Sequence, residues 1–192
     1  MTTVPNVLAA RYASTAMADL WSPAHKIILE RQLWVAVLQA QRDLGIDVPA
    51  EAIADYQNVL TTVDLDSIAA RERVTRHDVK ARIEEFNALA GHEHIHKGMT
   101  SRDLTENVEQ LQIRSALELI RDRIVATLAR LGSRAGEYST VVMTGRSHNV
   151  AAQATTMGKR FASAADELIV ALERVEGVGN RVREFRMFEV DS

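Results

Sequence analysis

The sequence predicts an all-α protein: a small N-terminal helical domain, residues 1–100, then the first long helices of a bundle domain, residues 101–192. Three observations support this prediction. Apolar residues recur every three or four positions along nearly the whole chain, which is typical of helices that bury one face. The 192 residues include only three prolines and nine glycines, which leaves room for long helices. We find no alternation of apolar and polar residues strong enough to predict a strand.

The N-terminal domain contains four predicted helices. Ser22 and Pro23 form a cap and first-turn signal for the first helix, and Gly45 is expected to end it. Three shorter helices follow, which are predicted to start at Pro49, Asp64 and Thr75. Gly91 is expected to cap the last of them.

The predicted helices become longer from Ser101. No proline or glycine occurs from there until Gly132, so the spacing predicts a helix of about 30 residues, roughly 45 Å long. Residues 132–150 are predicted to be a connection, and a second long helix follows from Met157, with two glycines weakening its centre. Two long helices cannot bury several apolar faces by themselves. Partner helices from other subunits, or from residues outside this sequence, are therefore implied.

Composition excludes several classes of protein. The net charge of −3 gives no basic surface for nucleic acid, and the absence of cysteine rules out disulfides and thiolate chemistry. No apolar run approaches the roughly 18 residues of a membrane span, and the N-terminus lacks the features of a signal peptide. We therefore expect a cytoplasmic protein that binds neither nucleic acid nor membrane.

Four short segments concentrate side chains capable of chemistry. They are Arg11–Ser14, Thr75–Asp78, His96–Asp103 and Gly145–Asn149. Three of them contain a histidine near an arginine and a hydroxyl residue. Arginine and backbone N–H groups hold carboxylate or phosphate, and histidine transfers protons near neutral pH. This mixture favours a small anionic substrate.

Each segment also has a structural interpretation. Thr75–Asp78 and Thr100–Asp103 match the capping pattern that starts helices, and a capped helix N-terminus also binds anions, so both interpretations can hold together. His92–His96 matches the H-E-x-x-H zinc pattern, which needs a continuous helix to bring both histidines to one face. Because Gly91 and Gly98 bracket this window just after a predicted helix end, we do not expect a zinc site.

In their order and separation, these four segments resemble adenylosuccinate lyase, a family of the fumarase/aspartase superfamily. The last segment continues the resemblance through Thr156, and the match covers essentially the whole chain. Arg11–Ser14 and Arg76–Asp78 favour this family over argininosuccinate lyase, fumarase and aspartase. The resemblance implies a fumarase/aspartase-type helical bundle and a homotetramer whose active sites are shared between subunits. It also implies cleavage of adenylosuccinate to AMP and fumarate, and of SAICAR to AICAR and fumarate, in purine biosynthesis without metal or organic cofactor.

The resemblance also assigns roles to single residues. His148 corresponds to the general acid that protonates the departing nitrogen, and His77 to a second catalytic residue that binds substrate beside it. Substrate contacts fall to a larger set: the nucleotide phosphate to Arg11 and Tyr12, a carboxylate of the fumarate part to Thr100 and Ser101, and further contacts to Arg76, Asp78, His96, Ser147 and Gln153.

Two departures from the family pattern affect the expected activity. Ser147 stands where the family commonly has threonine, which keeps the hydroxyl and loses one methyl. The family's flexible signature loop, which supplies the serine that removes the carbon-bound proton, has no counterpart in these residues. We therefore expect an N-terminal portion with negligible activity alone. Two alternatives stay open: a truncated non-catalytic helical assembly module, or another superfamily lyase such as argininosuccinate lyase.

Overall fold

The computed structural model of the chain describes residues 6–190, with side chains described as far as residue 182. Within that range it contains eight helices and one two-stranded sheet, so the predicted all-α class is confirmed apart from the sheet. The chain divides into a first unit, Met1–Ile113, and a second unit, Arg114–Ser192. No helix in the described range combines the length and hydropathy that a transmembrane span requires.

The first unit consists of six helices and the beginning of a seventh. They are α1 (Val7–Tyr12), α2 (Thr15–Leu20), α3 (Pro23–Asp43), α4 (Ala50–Asn58), α5 (Leu65–Thr75), α6 (Asp78–Ala90) and the start of α7 (Ser101–Glu137). The predicted caps of α3 and α5 are confirmed, because Ser22 Oγ accepts from the His25 N–H at 3.2 Å and Asp64 Oδ1 from the Ser67 N–H at 2.9 Å. Helices α1 and α2 were not predicted, because six residues are too few for a periodic apolar pattern.

The predicted start of a helix at Thr75 is wrong. Thr75 is the last residue of α5, Arg76 is left-handed with φ of 54°, and His77 is the N-cap of α6. The Thr75 hydroxyl bonds locally to the His77 carbonyl oxygen at 3.1 Å. The imidazole of His77, a residue outside the usual set of N-caps, accepts the N–H of the first turn instead. The capping rule therefore selected the wrong residue of this segment.

The long helices continue past the glycines at which we expected them to weaken or stop. Helix α7 continues through Gly132 to Glu137, five residues beyond the predicted end, and α8 (Met157–Val190) is uninterrupted across Gly177 and Gly179. A glycine inside a helix costs about 1 kcal/mol relative to alanine, which does not end a helix unless the backbone also turns left-handed. None of these three glycines has positive φ.

The predicted connection between the long helices instead contains a β-hairpin. Strand β1 (Val142–Ser147) pairs antiparallel with β2 (Val150–Thr156), and the register shifts between Thr144 and Arg146. The prediction of no strand is therefore wrong here. Most residues of both strands are exposed, so neither shows the apolar alternation of a half-buried strand. Its two-residue turn also lacks glycine, the usual signal of a tight hairpin.

The core of the first unit lies among α3, α4, α6, the following loop and the start of α7. Its buried apolar side chains are Trp34, Val35, Leu38, Val48, Ile53, Tyr56, Val79, Phe86, Ile95 and Leu104. The aromatic rings are in contact, with Trp34 stacked on Phe86 at 6.2 Å and Tyr56 tilted against Phe86 at 4.9 Å between centroids. This cluster fixes the relative positions of α3 and α6.

A charged pair is buried in the same unit. Arg31 Nη2 donates to Glu85 Oε2 at 2.5 Å, and both side chains are almost completely inaccessible to solvent. Arg31 Nη1 also donates, at 3.0 Å each, to the carbonyl oxygens of Val59, Leu60 and Thr62. The guanidinium therefore binds both a carboxylate of α6 and the backbone that follows α4.

The second unit buries few side chains of its own. Among residues 114–182, only Ala116 and Gly158 are buried. Large apolar side chains of α7 and α8 are exposed, including Ile120, Val125, Ile169, Val170 and Val178. Two helices and a hairpin do not cover these faces, as the apolar pattern of the sequence implied.

Gly158, the second residue of α8, lies against the backbone that follows α7. Its N–H donates to the Tyr138 carbonyl oxygen at 2.9 Å. A β-carbon at this position would lie 2.4 Å from the Ala135 carbonyl oxygen and 2.7 Å from Ser139 Cα, and neither atom belongs to a flexible side chain. Glycine is therefore required for this approach.

We expect Gly158→Ala to lower the free energy of unfolding by about 1–3 kcal/mol or more, because the added methyl group must displace backbone. The matched control is Gly177→Ala in the same helix, where an added β-carbon meets nothing within 4 Å. That variant should be neutral or stabilised by up to about 1 kcal/mol. Urea unfolding followed by circular dichroism measures both. Equal midpoints for the two variants would contradict this packing.

Candidate functional site

The start of α6 and the start of α7 bring two of the sequence-predicted segments together. Ser101 Oγ, on the first residue of α7, lies 3.5 Å from Nε2 of His77. These residues are 24 positions apart in sequence, so the fold rather than the local chain creates the contact. Both helix N-termini present backbone N–H groups, which favour an anion.

The backbone orients the imidazole of His77. Its Nδ1 accepts the N–H of Lys80 at 3.3 Å, so a neutral ring carries its proton on Nε2, the nitrogen nearest Ser101. Asp78 Oδ1 lies 3.6 Å from the same Nδ1, and the imidazole is about half exposed, at 51%. A ligand oxygen beside Ser101 would therefore meet an N–H donor of His77.

A chain of charges holds the start of α6. Asp78 Oδ2 accepts from Arg82 Nη2 at 2.9 Å, and Arg82 Nε lies 2.6 Å from Oε2 of the buried Glu30. Burial tends to raise the pKa of Asp78, but the Val79 N–H and the Arg82 guanidinium outweigh it and lower that pKa below its usual value. Asp78 is thus an ionised residue that pairs with Arg82 in the first turns of α6.

The predicted capping box at the start of α7 is confirmed. The Thr100 N–H donates to Asp103 Oδ2 at 2.6 Å, and the Asp103 N–H donates to Thr100 Oγ1 at 3.4 Å. The Thr100 N–H and then the Thr100 hydroxyl lower the pKa of Asp103. The Thr100 hydroxyl thus takes part in the cap of α7, directly before Ser101.

His96 lies in the loop before α7 and has a left-handed backbone, with φ of 66°. Its Nδ1 accepts the indole N–H of Trp34 at 3.1 Å. Burial lowers the pKa of His96; charge on His77 lowers it further, whereas Asp103 opposes the shift. His77 and Asp103, at the starts of α6 and α7, therefore both influence the pKa of His96.

The loop after α6 does not provide the helix that a zinc-protease pattern needs. Residues 91–98 contain turns and no helix. His92 Nε2 pairs with Asp55 Oδ2 at 2.8 Å, and the His94 N–H donates to the Tyr56 hydroxyl at 3.1 Å. Among the described residues, no three histidine or acidic side chains are grouped to hold a metal ion. These histidines instead tie the loop to α4.

The remaining candidates of the first unit are exposed. Arg11 and Tyr12 lie in the last turn of α1, and 77% of the Tyr12 surface is accessible. Arg76 is the left-handed residue between α5 and α6 and is also exposed. All three side chains are therefore accessible to a ligand.

His148 lies at the tip of the hairpin in the second unit. His148 and Asn149 form a two-residue turn in which both have positive φ, 49° and 65°, as in a type I′ turn. Arg146 Nη1 donates across the turn to the Asn149 carbonyl oxygen at 3.0 Å, and Ser147 pairs with Val150. The imidazole of His148 is thus exposed on a backbone that the hairpin constrains.

A shallow cavity of about 290 Å³ lies between the hairpin and the first turns of α8. Gln153 lines it, as do three cationic side chains, Arg146, Lys159 and Arg160. Neither Lys159 nor Arg160 was predicted from the sequence, although they are a cationic pair shortly after the last resembling segment. The positive charge suits a phosphate or carboxylate group.

Apart from Arg11 and Tyr12 in α1, the predicted site residues form two groups, each within its own unit. The first group, at the starts of α6 and α7, contains Arg76, His77, Asp78, His96, Thr100 and Ser101. The second group, in the hairpin, contains Ser147, His148 and Gln153. The first group offers hydroxyl, imidazole and backbone N–H donors, and the second an exposed imidazole on the hairpin that lines the cationic cavity.

Comparisons with known proteins point to one class of enzyme. A family model described as "Lyase" matches residues 14–187. The chain is 33% identical over 184 residues to the adenylosuccinate lyase of Schistosoma mansoni, covering 94% of this chain and 38% of the relative. It is 34% identical over 178 residues to that of Methanothermobacter thermautotrophicus, covering 90% and 39%. A fumarate lyase structure from Mesorhizobium sp. BNC1 superposes with a TM-score of 0.75 at 27% identity, over 86% of this chain and 40% of that one.

Proposed function

Because the chain belongs to the lyase family whose model matches residues 14–187, we propose that the protein is an adenylosuccinate lyase, a carbon–nitrogen lyase of purine biosynthesis. It would eliminate fumarate from adenylosuccinate to give AMP, and from SAICAR to give AICAR. The observation that carries the proposal is the contact between His77 and Ser101, which unites two of the resembling segments. The chain spans about 38% of the length of the Schistosoma mansoni relative, so the activity is proposed for the whole protein and not for this chain alone.

The elimination needs a base and an acid. A base removes the proton from the carbon beta to the nitrogen, and the resulting carbanion is stabilised by the adjacent carboxylate. The C–N bond then breaks, its electrons leave with nitrogen, and the carbon–carbon double bond of fumarate forms. Because an amine anion is a very poor leaving group, the nitrogen must receive a proton as it departs. We assign the acid to His148 and leave the base outside these residues.

The geometry at the start of α7 supports a carboxylate site. We assign a carboxylate of the fumarate part to Thr100 and Ser101, where the Ser101 hydroxyl and the first-turn N–H groups offer donors. The Nε2–H of His77 adds a donor 3.5 Å from Ser101 Oγ. We therefore propose that His77 holds the substrate, rather than transferring a proton itself.

The remaining candidates would bind other parts of the substrate. In this proposal Arg11 and Tyr12 bind the nucleotide phosphate. Both are exposed, and a cation and a hydroxyl donor are suited to a phosphate. Further polar contacts are assigned to Arg76, Asp78, His96, Ser147 and Gln153. No metal or organic cofactor takes part.

We propose a cytoplasmic homotetramer in which other subunits complete each active site. What supports this proposal is the exposure of apolar side chains on both long helices, including Ile120 at 40% and Val125 at 48%. Such faces are stable in water when another helix covers them. Copies of the same chain would supply those helices.

An assay of fumarate release tests the proposed function. We expect a longer form, extended to the length of the relatives, to consume adenylosuccinate and SAICAR. The 192-residue chain alone should be about a hundredfold slower or more, because the base is proposed to lie outside these residues. The decrease in absorbance on cleavage measures both rates. Consumption of argininosuccinate in place of these substrates would identify a different superfamily lyase. No turnover of any of them by the longer form would favour a non-catalytic assembly module.

A further inference from the structure

Trp34 joins the core of the first unit to the candidate site. It lies in the middle of α3, with 1% of its surface exposed, and stacks on Phe86 at 6.2 Å. Its indole N–H donates to Nδ1 of His96 at 3.1 Å, and the two rings meet edge to face, with centroids 5.9 Å apart and an interplanar angle of 89°. The contact spans 62 positions of sequence.

A hydrogen bond at Nδ1 determines the chemical form of the imidazole. The indole nitrogen is only a donor, so Nδ1 must carry a lone pair. The neutral ring then has its proton on Nε2 and donates from that side. Protonation would add an N–H at Nδ1 that faces the indole N–H. Because Trp34 is buried, its indole cannot rotate towards water to avoid this contact. The indole therefore disfavours the imidazolium.

Burial and the surrounding charges shift the pKa of His96 in opposing directions. Burial and the neighbouring His77 lower the pKa of His96, whereas the Asp103 carboxylate raises it. The net effect lowers that pKa. His96 therefore stays neutral where an ordinary histidine begins to charge, which agrees with the hydrogen-bond geometry.

We propose that Trp34 is a positioning residue that holds His96 in the Nε2–H tautomer, so that His96 binds the anionic substrate as a neutral donor rather than acting as an acid or base. The placement of His96 beside substrate rests on the proposed function. Its tautomer does not, because the contact with Trp34 lies wholly within the first unit. Trp34 itself touches the imidazole and needs no contact with substrate.

Nitrogen NMR of the chain labelled with [¹⁵N]histidine tests the tautomer directly. We expect His96 to show a protonated Nε2 and an unprotonated Nδ1. Trp34→Phe keeps the ring stacked on Phe86 but removes the donor, so the two tautomers should mix and the pKa of His96 should rise. Trp21→Phe, at the only other tryptophan, should leave His96 unchanged. A proton on Nδ1 of His96, or no response to Trp34→Phe, would overturn the proposal.

A second measurement needs no variant and so does not depend on Trp34→Phe folding. The two tryptophans give two indole N–H signals. As pH falls through the pKa of His96, Nδ1 takes up a proton and stops accepting. The Trp34 signal should therefore shift with the His96 titration, and the Trp21 signal should not. Independence of the Trp34 signal from that titration would overturn the proposal.

Kinetics of a longer, active form test the positioning role. Trp34→Phe should lower kcat/KM about tenfold, mainly through KM, because one donor to the bound substrate is lost from its position. Trp21→Phe should leave both constants unchanged. If Nε2–H is observed but Trp34→Phe leaves kcat and KM unchanged, the positioning role is wrong. If the unsubstituted longer form releases no fumarate, the proposed function fails instead, and the tautomer result stands.

Discussion

Replacing His148 by asparagine in a longer, active form is expected to lower kcat for fumarate release by about 10²–10⁴-fold. The proposed acid would then be missing at the step in which nitrogen departs. Substrate binding should change much less, because the hydroxyl and backbone donors at the start of α7 belong to the other unit. Steady-state kinetics with adenylosuccinate separates the two effects by comparing kcat with KM.

Asparagine is the informative substitution because His148 has φ of 49°, a conformation that asparagine tolerates better than most residues. The hairpin turn is therefore kept while the imidazole is removed. The matched control is Asn149→Gly, since glycine adopts the φ of 65° found there without strain. This control should keep kcat within about twofold. Wild-type turnover by His148→Asn would exclude His148 as the acid.

Arg31→Met is expected to lower the free energy of unfolding of the first unit by about 3–5 kcal/mol. The substitution removes the guanidinium and leaves the Glu85 carboxylate buried without its cation. The carbonyl oxygens of Val59, Leu60 and Thr62 lose a shared donor as well. Denaturant unfolding followed by tryptophan fluorescence reports on this region, because Trp34 lies in the same core.

Two further variants show whether burial causes the loss. Arg102→Met breaks an ion pair with Glu106 in which the arginine side chain is 79% exposed, and it should cost less than about 1 kcal/mol. Arg31→Met combined with Glu85→Met should recover much of the lost stability, because no unpaired buried charge remains. Equal losses for Arg31→Met and Arg102→Met would contradict the role assigned to the buried pair.

Local signals predicted the helices wherever the chain follows common capping rules. The hydroxyl of Ser22 and the carboxylate of Asp64 cap α3 and α5, as the sequence predicted. The start of α6 was missed because His77 caps through its ring nitrogen, which capping rules do not anticipate. The hairpin was missed because its strands are exposed and its turn contains His148 rather than glycine.

The candidate site was predicted as separate segments, not as an arrangement. Residue composition identified the segments of His77 and Ser101, but their contact depends on how α6 and α7 meet. The bond between Trp34 and His96 had no local signal at all, since an apolar stripe explains a tryptophan in a helix. Charged side chains are usually exposed, so the sequence gives equally little reason to expect Arg31 in a core.

The Arg31–Glu85 pair also constrains the order in which the first unit can fold during synthesis. Arg31 leaves the ribosome 54 residues ahead of Glu85, an interval of roughly 3 to 11 seconds at ordinary elongation rates. The carbonyl oxygens after α4 emerge sooner, only 28 to 31 residues behind Arg31. Nascent chains that end before α6 must therefore keep the guanidinium hydrated, and cooperative closure of this unit waits until α6 has been translated.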